Sequence, residues 1–315
     1  MLRKFNTKFP LFEYPLNHLY IVFTILGIST FSRNEKKFKV CPIAKTLSIF
    51  FLLLLLISNY FINTVLFKWY KGYLTIPIAI AFLSYGVGCI TSYTNLIIKS
   101  NKICELMNKI SEMKQLLEAK NPDYKFGASN SAVIFFWAGV THISAFWIYD
   151  CFPELSKKKH IKFWIQVMAV NFVSLMIFMI DAYFVQVTIT VRDLFKCFRN
   201  IFKIKEMEGM SITEFDNLQM KRSIKAAGML QFFTVNHLRL HGLRLQINEN
   251  FGIINLCSVT YTFIVLIFIV YSNVKRYKNE PFEAIRDMVF FSILYGGKLL
   301  AILQICMNIY EEVGK

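Results

Sequence analysis

Charge is scarce in this chain. Asp, Glu, Lys and Arg make up 18% of its 315 residues, with only 13 Gly and 7 Pro. Soluble domains carry about a quarter charged residues, so an ordinary cytosolic enzyme is excluded, and the shortage of Gly and Pro excludes a collagen-like or low-complexity chain. Catalytic and nucleotide-binding signatures are missing too. There is no GxSxG, P-loop, HExxH or GxGxxG, and enzymatic function is not expected. The seven cysteines, Cys41, Cys89, Cys104, Cys151, Cys197, Cys257 and Cys306, form no CxxC pair, and no His stands at ligand spacing from any of them. Neither a metal site nor a cofactor is expected from such a set.

What is abundant is apolar bulk. Apolar side chains reach 55% and aromatic ones 16%, with 32 Phe, and the mean hydropathy is +0.45. A helix crossing a ~30 Å hydrocarbon core needs about 20 apolar residues. Six stretches meet that length: Thr46–Phe67, Leu74–Ile98, Ser131–Tyr149, Phe163–Thr190, Ile253–Val274 and Val289–Tyr310. The expected fold is therefore an all-α polytopic membrane helix bundle, one transmembrane domain over residues 1–315. Pro77, Gly86 and Gly88 predict a kink in the second span. Leu19–Phe31 is too short to span and reads as a helix at the interface or packed on the bundle. Basic sequence follows it rather than a small-residue cleavage site, so it is not a cleaved signal peptide.

The net charge of +16 would suit nucleic acid, but the basic residues lie between apolar runs rather than along one face. Anionic membrane lipid is the expected partner, and nucleic acid is not. Counting Lys and Arg places the N-terminus inside, although Lys157, Lys158, Lys159 and Lys162 crowd an outer loop. Cys151 alone falls in an outer loop, so no disulfide is expected there. The two long connections, 99–130 and 191–252, keep helical periodicity, as in Leu106, Ile110, Met113 and Leu117. Lys102/Glu105 and Lys109/Glu112 are placed as i,i+3 pairs, and Leu230–Phe251 reads as a helix running straight into the fifth span.

Polar groups in lipid are costly and face a cavity or a partner. Asp181 in the fourth span and Lys298 in the sixth, beside Gly296 and Gly297, each cost about 2.5–3.5 kcal/mol on insertion scales. They pair, line a hydrated cavity, or separately snorkel and neutralise. His142, Tyr183 and Gln186 are further candidates for an intramembrane cavity, with Tyr85, Trp137, Gln166 and Asn171 behind them. Trp147 and Tyr149 read as interfacial anchors.

The run VNHLRLHGLRLQINENFGIINL at the entry to the fifth span resembles the insect gustatory receptors. That family commonly shows a His, a Leu three residues on, an Ile/Leu-Asn pair and N-x-x-F-G, here His237, Leu240, Ile247, Asn248, Phe251 and Gly252. PLNHLYIVFTILGISTF is similar to the family's N-terminal segment. The resemblance implies seven helices, an intracellular N-terminus, and a tetrameric ligand-gated cation channel, homo- or heteromeric, that senses small-molecule tastants at the plasma membrane of sensory dendrites. It also implies a pore-lining seventh helix carrying TYhhhhhQF. The sequence given reaches Lys315 without it, and the expectation is a fragment lacking that helix. TYTFIVLIF at Thr260–Phe268 is a chance likeness to the signature, with Ile267 at the Gln position. Odorant receptors share the inverted plan, and a non-conducting regulatory subunit is a further alternative. A G-protein-coupled receptor is disfavoured because DRY, NPxxY and N-x-S/T sequences are all missing. A transporter is disfavoured because the halves do not repeat.

Overall fold

The computed structural model describes residues 22–34, 37–69, 75–121, 137–141, 161–210, 219–278 and 281–314. Helices α1 (Pro42–Trp69), α2 (Thr75–Ile98), α3 (Ser100–Lys120), α4 (Ile161–Met210), α5 (Gln219–Arg276) and α6 (Pro281–Gly314) carry nearly all of them. The fold is an all-α membrane helix bundle. Four helical segments, Pro42–Ile62, Phe172–Lys203, Leu230–Lys275 and Ala284–Glu312, are long and apolar enough to cross a membrane, and Gly86–Ile98 of α2 is a shorter apolar one. These overlap five of the six expected spans. Most of the third expected span lies outside the described residues, as do Trp147, Tyr149 and Cys151.

Helix α4 is the centre of the bundle. Its most apolar part is 89% buried, against 17% in α1 and in α6, whose outward Ile, Leu and Phe side chains are exposed. Burial on every side explains why α4 is apolar all round rather than along one stripe. α1, α2, α3, α5 and α6 all pack on it. Gly139 of the short helical stretch 137–141 also abuts Phe178 at its middle.

Contacts fix the helix directions. Along α4, Phe184 meets Phe251 and Phe198 meets Phe233 of α5, so α4 and α5 are antiparallel. Asp181 meets Lys298, and Arg199 meets Glu312 at 2.8 Å, so α4 and α6 run the same way. α2 is antiparallel to α5, with Gly88 beside Tyr261 and Asn95 Nδ2 donating to Asn250 O at 3.0 Å.

Several local expectations change. Residues 22–25 are helical, but the chain then turns at Gly27, whose φ of 66° favours glycine, and Phe31 enters a strand. The segment does pack on the bundle, because Phe23 is buried with its ring 5.3 Å from Tyr183. A small antiparallel pair, β1 (Phe31–Asn34) and β2 (Lys37–Val40), was not anticipated from the sequence. Asn108 of α3 holds its edge by accepting from Phe38 N at 2.7 Å and donating to Phe38 O at 3.0 Å.

Periodicity was a sound guide in α3, where Leu106, Ile110, Met113 and Leu117 are all buried. Its charges pair differently from the i,i+3 expectation. Lys109 reaches back to Glu105 at 2.7 Å, the favoured Glu-before-Lys i,i+4 geometry. Lys102 leaves its own helix to meet Glu249 of α5 at 2.7 Å. Glu249 hydrogen-bonded to it holds the Lys102 ammonium above the ordinary lysine range. α5 is continuous from the polar connection through the fifth span, as the sequence predicts.

Candidate functional site

Three central helices meet at one buried charge cluster. Lys298 Nζ of α6 lies 2.5 Å from Asp181 Oδ2 of α4, with side chains 1% and 2% exposed. Tyr261 of α5 donates its hydroxyl to the same carboxylate oxygen at 3.2 Å. The ammonium also sits 4.4 Å from the Tyr261 ring centroid and 4.9 Å from that of Phe178. Each charge offsets part of the other's cost of burial, and the aromatic faces add cation–π attraction. Gly88 of α2 lies beside Tyr261, where a Cβ would make only an ordinary contact with the ring at 3.4 Å.

One turn and more beyond this cluster, α4, α5 and α6 enclose a half-open cavity of about 250 Å³. Phe184 and Thr188 of α4, Arg244, Asn248 and Asn255 of α5, and Ile309 of α6 contribute to its wall. Arg244 lies over the Tyr310 ring at 5.2 Å. Among the described residues, Thr188 Oγ1 and Asn255 Oδ1 are buried without a hydrogen-bond partner.

Together with that architecture, the family model for the 7tm chemosensory receptors matches residues 16–315. The chain belongs to the 7tm chemosensory receptor family. Among curated proteins none matches it.

In this chemosensory receptor the motif residues before the fifth span divide by burial. Leu240, Ile247 and Phe251 form a buried stripe on α5, and Phe251 stacks edgewise on Tyr183 at 5.8 Å. His237 and Asn248 are exposed, while Gly252 is half-buried. Asn248 lines the cavity, and the His237 ring stands 6.4 Å from Phe198.

Of the intramembrane candidates, Asp181 and Lys298 come together, and Tyr183 and Gln186 are buried nearby on α4. Tyr183 serves as an aromatic hub between Phe23 and Phe251 rather than as a member of the charge cluster. Gln186 caps Thr190 within its own helix, Nε2 to Oγ1 at 3.4 Å. Trp137 is exposed. His142 and the side chains of Tyr85, Gln166 and Asn171 lie outside the described residues. Sequence reading missed Tyr261, Phe178, Arg244, Thr188 and Asn255. Tyr261 carried no signal of its own, because the same span also holds the hydroxyls of Ser258, Thr260 and Thr262. Among the described residues no three His, Cys, Asp or Glu side chains group as a metal site would require.

Proposed function

We propose that this chemosensory receptor is a gustatory receptor, a ligand-gated cation channel subunit that responds to small-molecule tastants. It acts at the plasma membrane, in sensory dendrites, as a homo- or hetero-tetramer with like subunits, and by binding rather than by catalysis. The observation that carries this reading is the α5 stripe. The gustatory-type residues Leu240, Ile247 and Phe251 are the ones α5 buries against the central helix, so the motif coincides with the packing of the receptor core. The Asp181–Lys298–Tyr261 cluster suits such a receptor because it joins three helices through a few directional contacts. A ligand that displaces one helix has to reorganise that cluster.

Expression of the full chain, alone and with other gustatory subunits, followed by current recording during exposure to sugars, bitter compounds and carbon dioxide, tests the reading. Tastant-evoked cation currents that depend on this chain support it. Responses confined to volatile odorants would favour an odorant receptor instead. Altered partner currents without a ligand response of its own would favour the regulatory subunit.

A further inference from the structure

The cavity between α4, α5 and α6 has a chemistry that the tastant reading does not use. Its Arg244 guanidinium meets an aromatic face at Tyr310, and among the described residues no carboxylate pairs with it. Two hydrogen-bonding groups beside it are unsatisfied. Thr188 is 1% exposed and its hydroxyl lacks a partner among the described residues, as does the Asn255 side-chain oxygen. Buried polar atoms of this kind normally have a partner, so a ligand that fills the cavity should supply one.

Size and placement narrow the ligand. Pockets that enclose a whole drug-sized molecule measure ~300–1,000 Å³. At about 250 Å³ and half-open, this cavity holds a polar headgroup and leaves the rest of the molecule outside. Leu245 and Cys306 of its lining are exposed on α5 and α6, so the cavity opens at the surface between two membrane helices. Beyond it the same end of the bundle carries Lys196, Lys203 and Arg239 on α4 and α5, beside Arg192 and Arg199, which pair with Asp193 and Glu312. A basic pocket between membrane helices at a basic membrane border suits an anionic lipid.

We propose that this cavity is a binding site for the phosphate headgroup of an anionic membrane lipid. Arg244 engages the phosphate oxygens, the Thr188 hydroxyl donates to them, and the Asn255 oxygen accepts from a hydroxyl of the headgroup. Ile247, Phe184 and Ile309 receive the glycerol end. The site stands independently of which stimulus the receptor detects.

The test uses the purified full chain in detergent, with phosphatidylglycerol, phosphatidylcholine of the same chains, and glycerol phosphate as probes, and native mass spectrometry as readout. Phosphatidylglycerol should be retained over phosphatidylcholine. Arg244→Gln should weaken it about ten-fold or more, the factor that a charge-assisted hydrogen bond of ~1.5 kcal/mol sets. Arg244→Lys should retain part of the preference, and Thr188→Val should weaken it with the melting curve unchanged. Equal retention of both lipids, or an Arg244→Gln protein of unchanged affinity and melting curve, would overturn the proposal. Displacement of the lipid by equimolar glycerol phosphate would make a soluble phosphate the occupant and overturn the lipid assignment.

Discussion

Asp181 and Lys298 face each other across the centre of the bundle, Oδ2 to Nζ at 2.5 Å, with almost no surface exposed on either. Such a pair is no guarantee of stability, because desolvating two ions offsets much of their attraction. Its consequence is specificity. Either charge alone is strongly unfavourable, so α4 and α6 hold one relative position, and Tyr261 adds α5 to it. Arg199–Glu312 joins α4 to α6 a second time at the basic end, where both side chains are more accessible.

The motif on α5 should divide in the same way under mutation. Phe251 is fully buried against Tyr183 and Phe184, so Phe251→Ala should cost about 3–5 kcal/mol through lost contacts and a cavity. His237 is exposed, and His237→Ala should stay within about 0.5 kcal/mol. Thermal unfolding of the purified variants measures both.

Gly86 packs directly against the Asn59 side chain of α1. A Cβ there would stand 2.0 Å from Asn59 Oδ1 of α1, whereas one at Gly297 meets nothing within 4 Å. Gly86→Leu should therefore separate α1 from α2 and reduce the folded yield, and Gly297→Ala should not. Surface expression compared with total protein reads the difference.

The Lys102–Glu249 clasp gives a pH dependence of definite sign. The Lys102 ammonium is held above the ordinary lysine range, chiefly by the hydrogen bond it donates to Glu249. Its contribution is therefore present below the unfolded pKa and is lost as pH rises through the folded one. The small melting difference between wild type and Glu249→Gln should hold at neutral pH and vanish in alkaline buffer. High salt should shrink it as well, because both side chains are exposed.

Hydropathy made the bundle legible because the membrane demands long apolar helices, and the periodicity of α3 gave its buried face directly. Asp181 and Lys298 stood out because a charge is rare in such runs. Their partner Tyr261 did not, since a tyrosine in an aromatic-rich span carries no signal of its own until tertiary contact selects it. The β1–β2 pair was hidden for a similar reason, as its short edge depends on Asn108, far away in sequence. The partners of Lys102 and Lys109 depended on helix packing and rotamer reach that spacing alone leaves open.

A double-mutant cycle at 181 and 298 tests the central claim most directly. Asp181→Leu or Lys298→Met alone should destabilise by about 3–5 kcal/mol, since each leaves the other charge buried and unpaired. Asp181→Leu combined with Lys298→Met should recover most of that loss, as should the exchange Asp181→Lys with Lys298→Asp in part. Unfolding of the four proteins in the same detergent should give a coupling well beyond the ~0.5 kcal/mol within which independent sites add. Additive losses in the double variants would show that the two charges do not hold α4 and α6 together.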